Sequence, residues 1–380
     1  MVTKLGATRV LGLTLAVLLA GCGGDGGGDG AGDGGDTTQP PRDYTGHGPF
    51  VAGVTTYTVN GNLVEVWYPA DKGAEAGKPK DSYDMRDWLP DAERSKIPDA
   101  DAPRYPTDAY RDIVASRVRR FPVVLFSHGL GGYRLQSTFL MTSLAEWGFV
   151  VASPEHAGRG LKLLIGGMFP SADDSPAQLR DALAHLRSED ARAGGPLEGR
   201  MDFAHIAATG HSAGGATAYN VAKDPGITLW AQYAAGNGNT DAPAVPALVM
   251  GGTGDEIANI GTAMDNFAKL PEGVGKRFVG IKDAGHLAFA DICAIGRDQG
   301  GVLKIAADHG IMVPQILITL GSDGCRPEDL PVEMAWPLIR HYTIAHLRLA
   351  FGLDAAPGLL LDDAGGVAKF GDRLFMYKHE

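Results

Sequence analysis

Two runs of β-type composition, Val51 to Val59 and Asn62 to Tyr68, flank the dipeptide Asn60-Gly61. That dipeptide between two such runs predicts an antiparallel hairpin. From Phe121 the pattern changes. Short, nearly continuous apolar runs recur at Pro122 to Phe126, Phe149 to Ala152, Ile206 to Thr209, Ile227 to Ala231, Val245 to Met250 and Arg277 to Ile281. Between them lie longer stretches suited to helices, among them Leu135 to Trp147, Pro176 to Arg187 and Ala213 to Ala222. A strand covered on both faces reads as an unbroken apolar run, so this alternation predicts an α/β chain with a doubly wound, mostly parallel sheet behind an antiparallel N-terminal hairpin. Trp336, Ile339, Ile344 and Leu347 give Ala335 to Phe351 one apolar face, and this helix is expected to close the series of elements.

Upstream of the hairpin the pattern is of a different kind. Lys4 and Arg9 accompany an apolar run from Val10 to Ala20, too short for a permanent bilayer span, that ends in Leu19-Ala20-Gly21-Cys22. The segment resembles the signal of bacterial lipoproteins. Residues 1–21 are then a signal peptide, and Cys22 is the lipid-modified first residue of a mature chain held on a membrane of the cell envelope, outside the cytoplasm. A plain secretory signal with an incidental Cys22 is the alternative. In the segment 22–42, the residues after Cys22 are mainly Gly and Asp followed by Thr, Gln and Pro, with almost no apolar side chains to offset the entropy of ordering. They read as a flexible linker, and residues 43–380 as the folded domain.

Composition narrows the partners. The chain is 44% hydrophobic and 21% charged, ordinary for a globular protein. A net charge of -11, and no basic cluster beyond Arg117 to Arg120, argue against a nucleic-acid partner. Removing Cys22 from three cysteines leaves Cys293 and Cys325. In an oxidising compartment this even pair is expected to form a disulfide, the alternative being two buried thiols. In the chain-entropy model a bridge closing a loop of that length stabilises by about 3.7 kcal/mol.

The chemistry centres on Gly210-His211-Ser212-Ala213-Gly214. A GxSxG string is a weak signal in a chain with 54 glycines, but here an apolar strand precedes it and a small-residue helix follows. That setting predicts a nucleophile elbow with Ser212 at its tip. A serine hydroxyl needs a base oriented by a carboxylate. In the chain order of such sites, His286 in Asp283-Ala284-Gly285-His286 is the candidate base and Asp255, after Gly251 to Gly254, the candidate acid. Asp241 and Asp291 are rival acids. His128 lies before the elbow beside Gly129, which suits the oxyanion loop rather than the base; His211 is adjacent to the serine, and His309, His341, His346 and His379 come later. Two donors must meet the developing oxyanion. Candidates are the N–H of Ala213 and that of Leu130, within Ser127-His128-Gly129-Leu130-Gly131-Gly132. No spacing suggests a zinc site, and neither metal nor organic cofactor is expected.

At these residues the chain resembles the platelet-activating factor acetylhydrolase-like branch of the dienelactone hydrolase and lipase group. Val66-Trp67-Tyr68-Pro69, Phe121 to Gly132 and Ser153-Pro154-Glu155-His156 carry the likeness further, which covers roughly Val66 to Ala290. The resemblance implies an α/β-hydrolase fold, Ser212 as nucleophile, His286 as base, and Leu130 and Ala213 as oxyanion donors. The position of Asp255 is more similar to that of the acid in lipases, cutinases and polyester hydrolases. Polyester hydrolases differ in carrying Met where this chain has Ala213, and a Trp beyond the next strand where Trp230 lies within it. The expected activity is hydrolysis of a small-molecule or lipid carboxylic ester through an acyl-enzyme, on short-acyl or acetylhydrolase-like phospholipid substrates. A lipase or polyesterase, and a thioesterase, amidase or acyltransferase with the same three residues, are the enzymatic alternatives. A non-catalytic surface-binding lipoprotein is the alternative of another class. Tyr133, residues 158–170 and the loop between Cys293 and Cys325 are expected to shape the pocket.

Overall fold

The computed structural model describes residues 43–170, 174–236, 241–354 and 363–380. The signal peptide, Cys22 and the linker expected from the sequence lie outside the described residues. The hairpin forms as its turn dictates: β1 (Val51–Val59) and β2 (Asn62–Ala70) pair antiparallel, with Asn60 at φ 49° and Gly61 at φ 83° between them. Next come β3 (Ser82–Asp84), the single turn α1 (Asp91–Arg94), β4 (Arg104–Pro106) and β5 (Ala109–Arg111). β3 and β4 pair with each other, while β5 runs parallel to β1 at the sheet edge. Three-residue strands carry too few positions for a period to show, and the sequence pattern did not mark them.

The alternating region follows the expected order. It runs β6 (Phe121–Ser127), α2 (Thr138–Glu146), β7 (Val150–Pro154), α3 (Leu161–Ile165), α4 (Ser175–Ala191), β8 (Met201–His211), α5 (Ala213–Val221), β9 (Leu229–Tyr233), β10 (Ala247–Gly252), α6 (Ile260–Ala268) and β11 (Lys276–Ile281). Three helices follow, α7 (Val302–Asp308), α8 (Gln315–Ser322) and α9 (Val332–Ala350), and then α10 (Asp363–Phe370) and β12 (Leu374–His379). The ten-stranded sheet has the order β12-β11-β10-β9-β8-β6-β7-β2-β1-β5, with β6 to β11 mutually parallel. This is an α/β-hydrolase fold, doubly wound and mostly parallel.

Two sequence readings need correction. The helix at Ala335 to Phe351 does not close the series, because the chain returns through α10 to add β12 antiparallel to β11. The strand carries the apolar run Leu374-Phe375-Met376-Tyr377, of which only Leu374 and Tyr377 are buried, and its pairing with β11 sets its place at the sheet edge. β8 also starts earlier than the apolar run, at Met201, and its register against β6 shifts between Pro122 and Val123. Residues from Asp202 to His205 are half-exposed or exposed there, which hid the strand in the pattern.

Alternation divides the parallel strands between two cores. Val124, Phe126, Ala207, Leu248 and Val279 face α2 and α9, whereas Val123, Leu125, Ala208, Val249 and Phe278 face α4, α5 and α6. Each fully buried Val, Leu or Phe contributes roughly 1.5–3 kcal/mol, so both faces are firmly covered. What remains open is the carboxyl end of the strands. Consecutive strands β6 and β7 lie to one side of the point where β8 returns beside β6, and a strand order that reverses in this way leaves a crevice there.

Candidate active site

Ser212 sits at that crevice, between β8 and α5, at φ 54° and ψ −126°. Such backbone is strained by roughly 1–3 kcal/mol for a residue with a side chain and persists only where surrounding packing enforces it. The packing is visible at the neighbouring glycines. A Cβ at Gly210 would lie 2.1 Å from the Gly214 carbonyl oxygen, one at Gly214 would lie 1.9 Å from the Ser127 carbonyl oxygen, and one at Gly215 would lie 2.4 Å from the Ala235 Cβ. The Ser212 N–H donates to the Tyr233 carbonyl at 2.9 Å, tying the tip of the bend to β9.

The structure brings His286 and Asp255 together. His286 Nδ1 lies 3.0 Å from Asp255 Oδ2, and both side chains are buried. The other carboxylate oxygen, Oδ1, accepts from the N–H groups of Ile257 at 2.9 Å and Ala258 at 2.7 Å, which fixes its plane. Neither rival acid reaches His286. Asp241 pairs with Lys223 at 3.0 Å and its side chain is 87% exposed. Asp291 is buried against the start of α2, accepting from the Thr138 N–H at 2.7 Å, the Phe139 N–H at 3.2 Å and the Thr138 hydroxyl, and burial pushes its carboxyl up to about 7.

The loop after β6 passes directly over the serine. A Cβ at Gly129 would lie 3.0 Å from Ser212 Cβ and 3.5 Å from its Oγ, so a side chain there would crowd the serine. Gly131 takes φ +68° and donates its N–H to the Arg159 carbonyl at 2.8 Å. Between these two glycines the Leu130 N–H has no protein acceptor among the described residues, and neither does the Ala213 N–H at the start of α5.

Buried polar side chains that the sequence did not single out frame this loop. Arg159 donates to Ser127 Oγ at 2.7 Å, to the His128 carbonyl at 2.6 Å and to Thr217 Oγ1 on α5 at 2.9 Å. It therefore ties the loop to the helix that begins at Ala213. Gln136 Oε1 accepts from the Gly129 N–H at 3.3 Å, and its amide nitrogen meets His211 Nδ1 at 2.9 Å. His211 Nε2 in turn donates to the His286 carbonyl at 3.0 Å. Burial holds the His211 and His128 rings well below the usual imidazole range, so both are neutral and act as hydrogen-bonding spacers. No local spacing marks Arg159 or Gln136, because each acts across elements distant in sequence.

Ser212 and His286 line one cavity of about 130 Å³. Its remaining walls are largely apolar, from Leu161 and Ile165 on α3, Val302 and Ile305 on α7, and Leu317 and Leu320 on α8. The charged side chain on the wall, Arg86, is paired with Asp84 at 2.6 Å and Asp99 at 2.7 Å. Tyr133, the 158–170 segment and the Cys293 to Cys325 loop all contribute, as the sequence suggested, and Cys293 and Cys325 form a disulfide.

Fold and crevice define an α/β-hydrolase with a serine elbow. Residues 104–162, which carry the Gly-rich loop and Arg159, match the family model described as platelet-activating factor acetylhydrolase, isoform II. The match supports a platelet-activating factor acetylhydrolase-like α/β-hydrolase, a class of serine ester hydrolases.

The loop frame makes stability pH-dependent. His156 accepts from Ser127 Oγ at 2.8 Å, donates to Gln178 Oε1 at 2.6 Å, and is pushed by burial from the ordinary 6.5 down to about 3. A depressed folded pKa gives stability that is complete above pH 6.5 and lost as pH falls toward 3. Between pH 7.5 and 4.5 the wild type should lose about 2 to 3 kcal/mol more than His156→Gln in urea titrations. Parallel pH profiles for the two proteins would contradict this.

Proposed function

We propose that the protein is a serine carboxylic ester hydrolase working through an acyl-enzyme. The observation that carries the reading is the His286–Asp255 contact, in a cavity whose wall His286 shares with a serine held at the tip of a strained elbow. Ser212 Oγ attacks the ester carbonyl carbon while His286 takes its proton through Nε2. Asp255 keeps the Nδ1–H pointed at itself and stabilises the imidazolium that forms. The carbonyl oxygen becomes an oxyanion, for which the N–H groups of Leu130 and Ala213 are the free donors at hand. Collapse of the intermediate returns the proton to the departing alkoxide. Water then repeats the sequence, forming the acid and restoring Ser212.

The apolar cavity with its neutralised Arg86 favours a short hydrocarbon acyl group over a charged one. Phospholipids with a short acyl chain fit the same description. With p-nitrophenyl esters, kcat/KM should be highest for acetyl to hexanoyl and fall at least about tenfold by palmitoyl, whose chain is too large for a cavity of about 130 Å³. Ser212→Ala should reduce every rate by at least about 10⁴-fold. Comparable turnover by the variant would remove Ser212 from the mechanism.

We further propose that Cys22 carries the lipid and places the domain on the outer side of a membrane of the cell envelope, where the disulfide is stable. In cells making the full chain, Cys22→Ser should move the protein from the membrane pellet to the soluble fraction. An unchanged distribution would show that the anchor lies elsewhere.

A further inference from the structure

We infer that Asp323 is a positioning residue that locks the acid loop and the base turn together, with the Cys293–Cys325 disulfide bracing it. The inference rests on the reading of Asp255 and His286 as acid and base. Asp323 follows α8 and is buried. Its two carboxylate oxygens divide between the two catalytic loops. Oδ1 accepts from the His286 N–H at 2.8 Å, and Oδ2 accepts from the N–H of Glu256, the residue after Asp255, at 2.9 Å. Its main-chain carbonyl accepts from the Leu287 N–H at 2.8 Å. One residue thus grips the backbone on both sides of the His286–Asp255 contact, through bonds that a carboxylate makes stronger than a neutral acceptor does.

The surrounding segment is built around this grip. A Cβ at Gly285 would lie 2.4 Å from the Gly324 nitrogen and 2.6 Å from Asp323 Oδ1, so the residue before His286 is glycine because the clamp occupies the space of a side chain. Arg326 pairs with Glu256 at 3.0 Å, with Asp329 at 3.1 Å and more distantly with Asp323 at 3.6 Å. Asp329 also accepts the Gly324 N–H at 2.9 Å. Cys325, two positions after Asp323, is bonded to Cys293, which lies just beyond the His286 turn. The disulfide therefore closes the Asp323 segment back onto the turn it holds. None of these groups touches Ser212 or faces the apolar walls, so the clamp acts through His286 and Asp255.

Asparagine at this position keeps the shape of the side chain but sets an NH₂ against one of the two N–H donors. Full-length wild type, Asp323→Asn, Asp323→Ala, the Cys293→Ala/Cys325→Ala pair and the combination of that pair with Asp323→Asn should be compared on p-nitrophenyl acetate. Active sites are counted by stoichiometric reaction with a fluorophosphonate. Misplacement of a catalytic group by about 1 Å costs on the order of 100-fold, so kcat per counted site should fall about 10- to 100-fold in Asp323→Asn, with KM within about threefold. The cysteine pair should lower kcat per site in the wild-type background and have at most a twofold further effect beside Asp323→Asn, since both act on one clamp. Wild-type kcat per counted site in Asp323→Asn, or independent multiplicative effects, would overturn the inference even if Asp323→Ala fails to fold. Ser212→Ala assayed in parallel separates the two readings. If it is inactive while Asp323→Asn is normal, only the clamp is wrong; if it remains active, the assignment of the site falls as well.

Discussion

Everything at the active crevice depends on how closely three backbones approach one another. The end of β6, the end of β8 and the start of α5 meet so tightly that a single methyl group at Gly210 or Gly214 would overlap a carbonyl oxygen. That approach forces the chain to bend at Ser212 and holds the residue at positive φ. The same approach sets the Leu130 loop against Ser212, while the Ala213 N–H at the start of α5 has no protein acceptor among the described residues. A serine hydroxyl presented at the crevice, with two backbone N–H groups that have no protein acceptor among the described residues, therefore follows from one steric constraint, and the strain at the serine is offset by the two buried cores beneath it.

Close packing positions the serine, but its partners arrive on loops and need another kind of constraint. Here buried polar groups supply it. Arg159 joins the Gly-rich loop to α5, Gln136 and His211 join that loop to the His286 turn, and Asp323 spans the His286 turn and the Asp255 loop. Each of these groups is satisfied by several hydrogen bonds, as low-dielectric burial demands. Their bonds link the Gly-rich loop, α5, the His286 turn and the Asp255 loop to one another. Leu317 of α8 approaches the loop itself, lying 2.4 Å from where a Cβ on Gly131 would be.

The candidate site could be read in the sequence where local pattern and chemical necessity coincide. Ser212 was legible because the elbow needs a strand, a glycine-flanked serine and a small-residue helix in unbroken succession. His286 and Asp255 were legible because each follows a strand in the required order, although Asp241 and Asp291 stayed open until the geometry placed them elsewhere. The cysteine pair was legible from counting. What stayed hidden depends on contacts between distant segments. β12 exists because β11 offers it an edge, and Asp202 to His205 join β8 through pairing rather than burial. Arg159, Gln136 and Asp323 look like ordinary polar residues until the fold carries them to the site.

The proposed mechanism turns on Ser212 forming the covalent intermediate. It is tested most directly by acid-quenching the protein during turnover of a slowly deacylated ester and measuring the intact mass and the peptide map. One acyl group per chain, on the peptide containing Gly210 to Gly215 and localised to Ser212, is the predicted result. An acyl group on another residue, or full turnover with no covalent species even when deacylation is made rate-limiting, would contradict it.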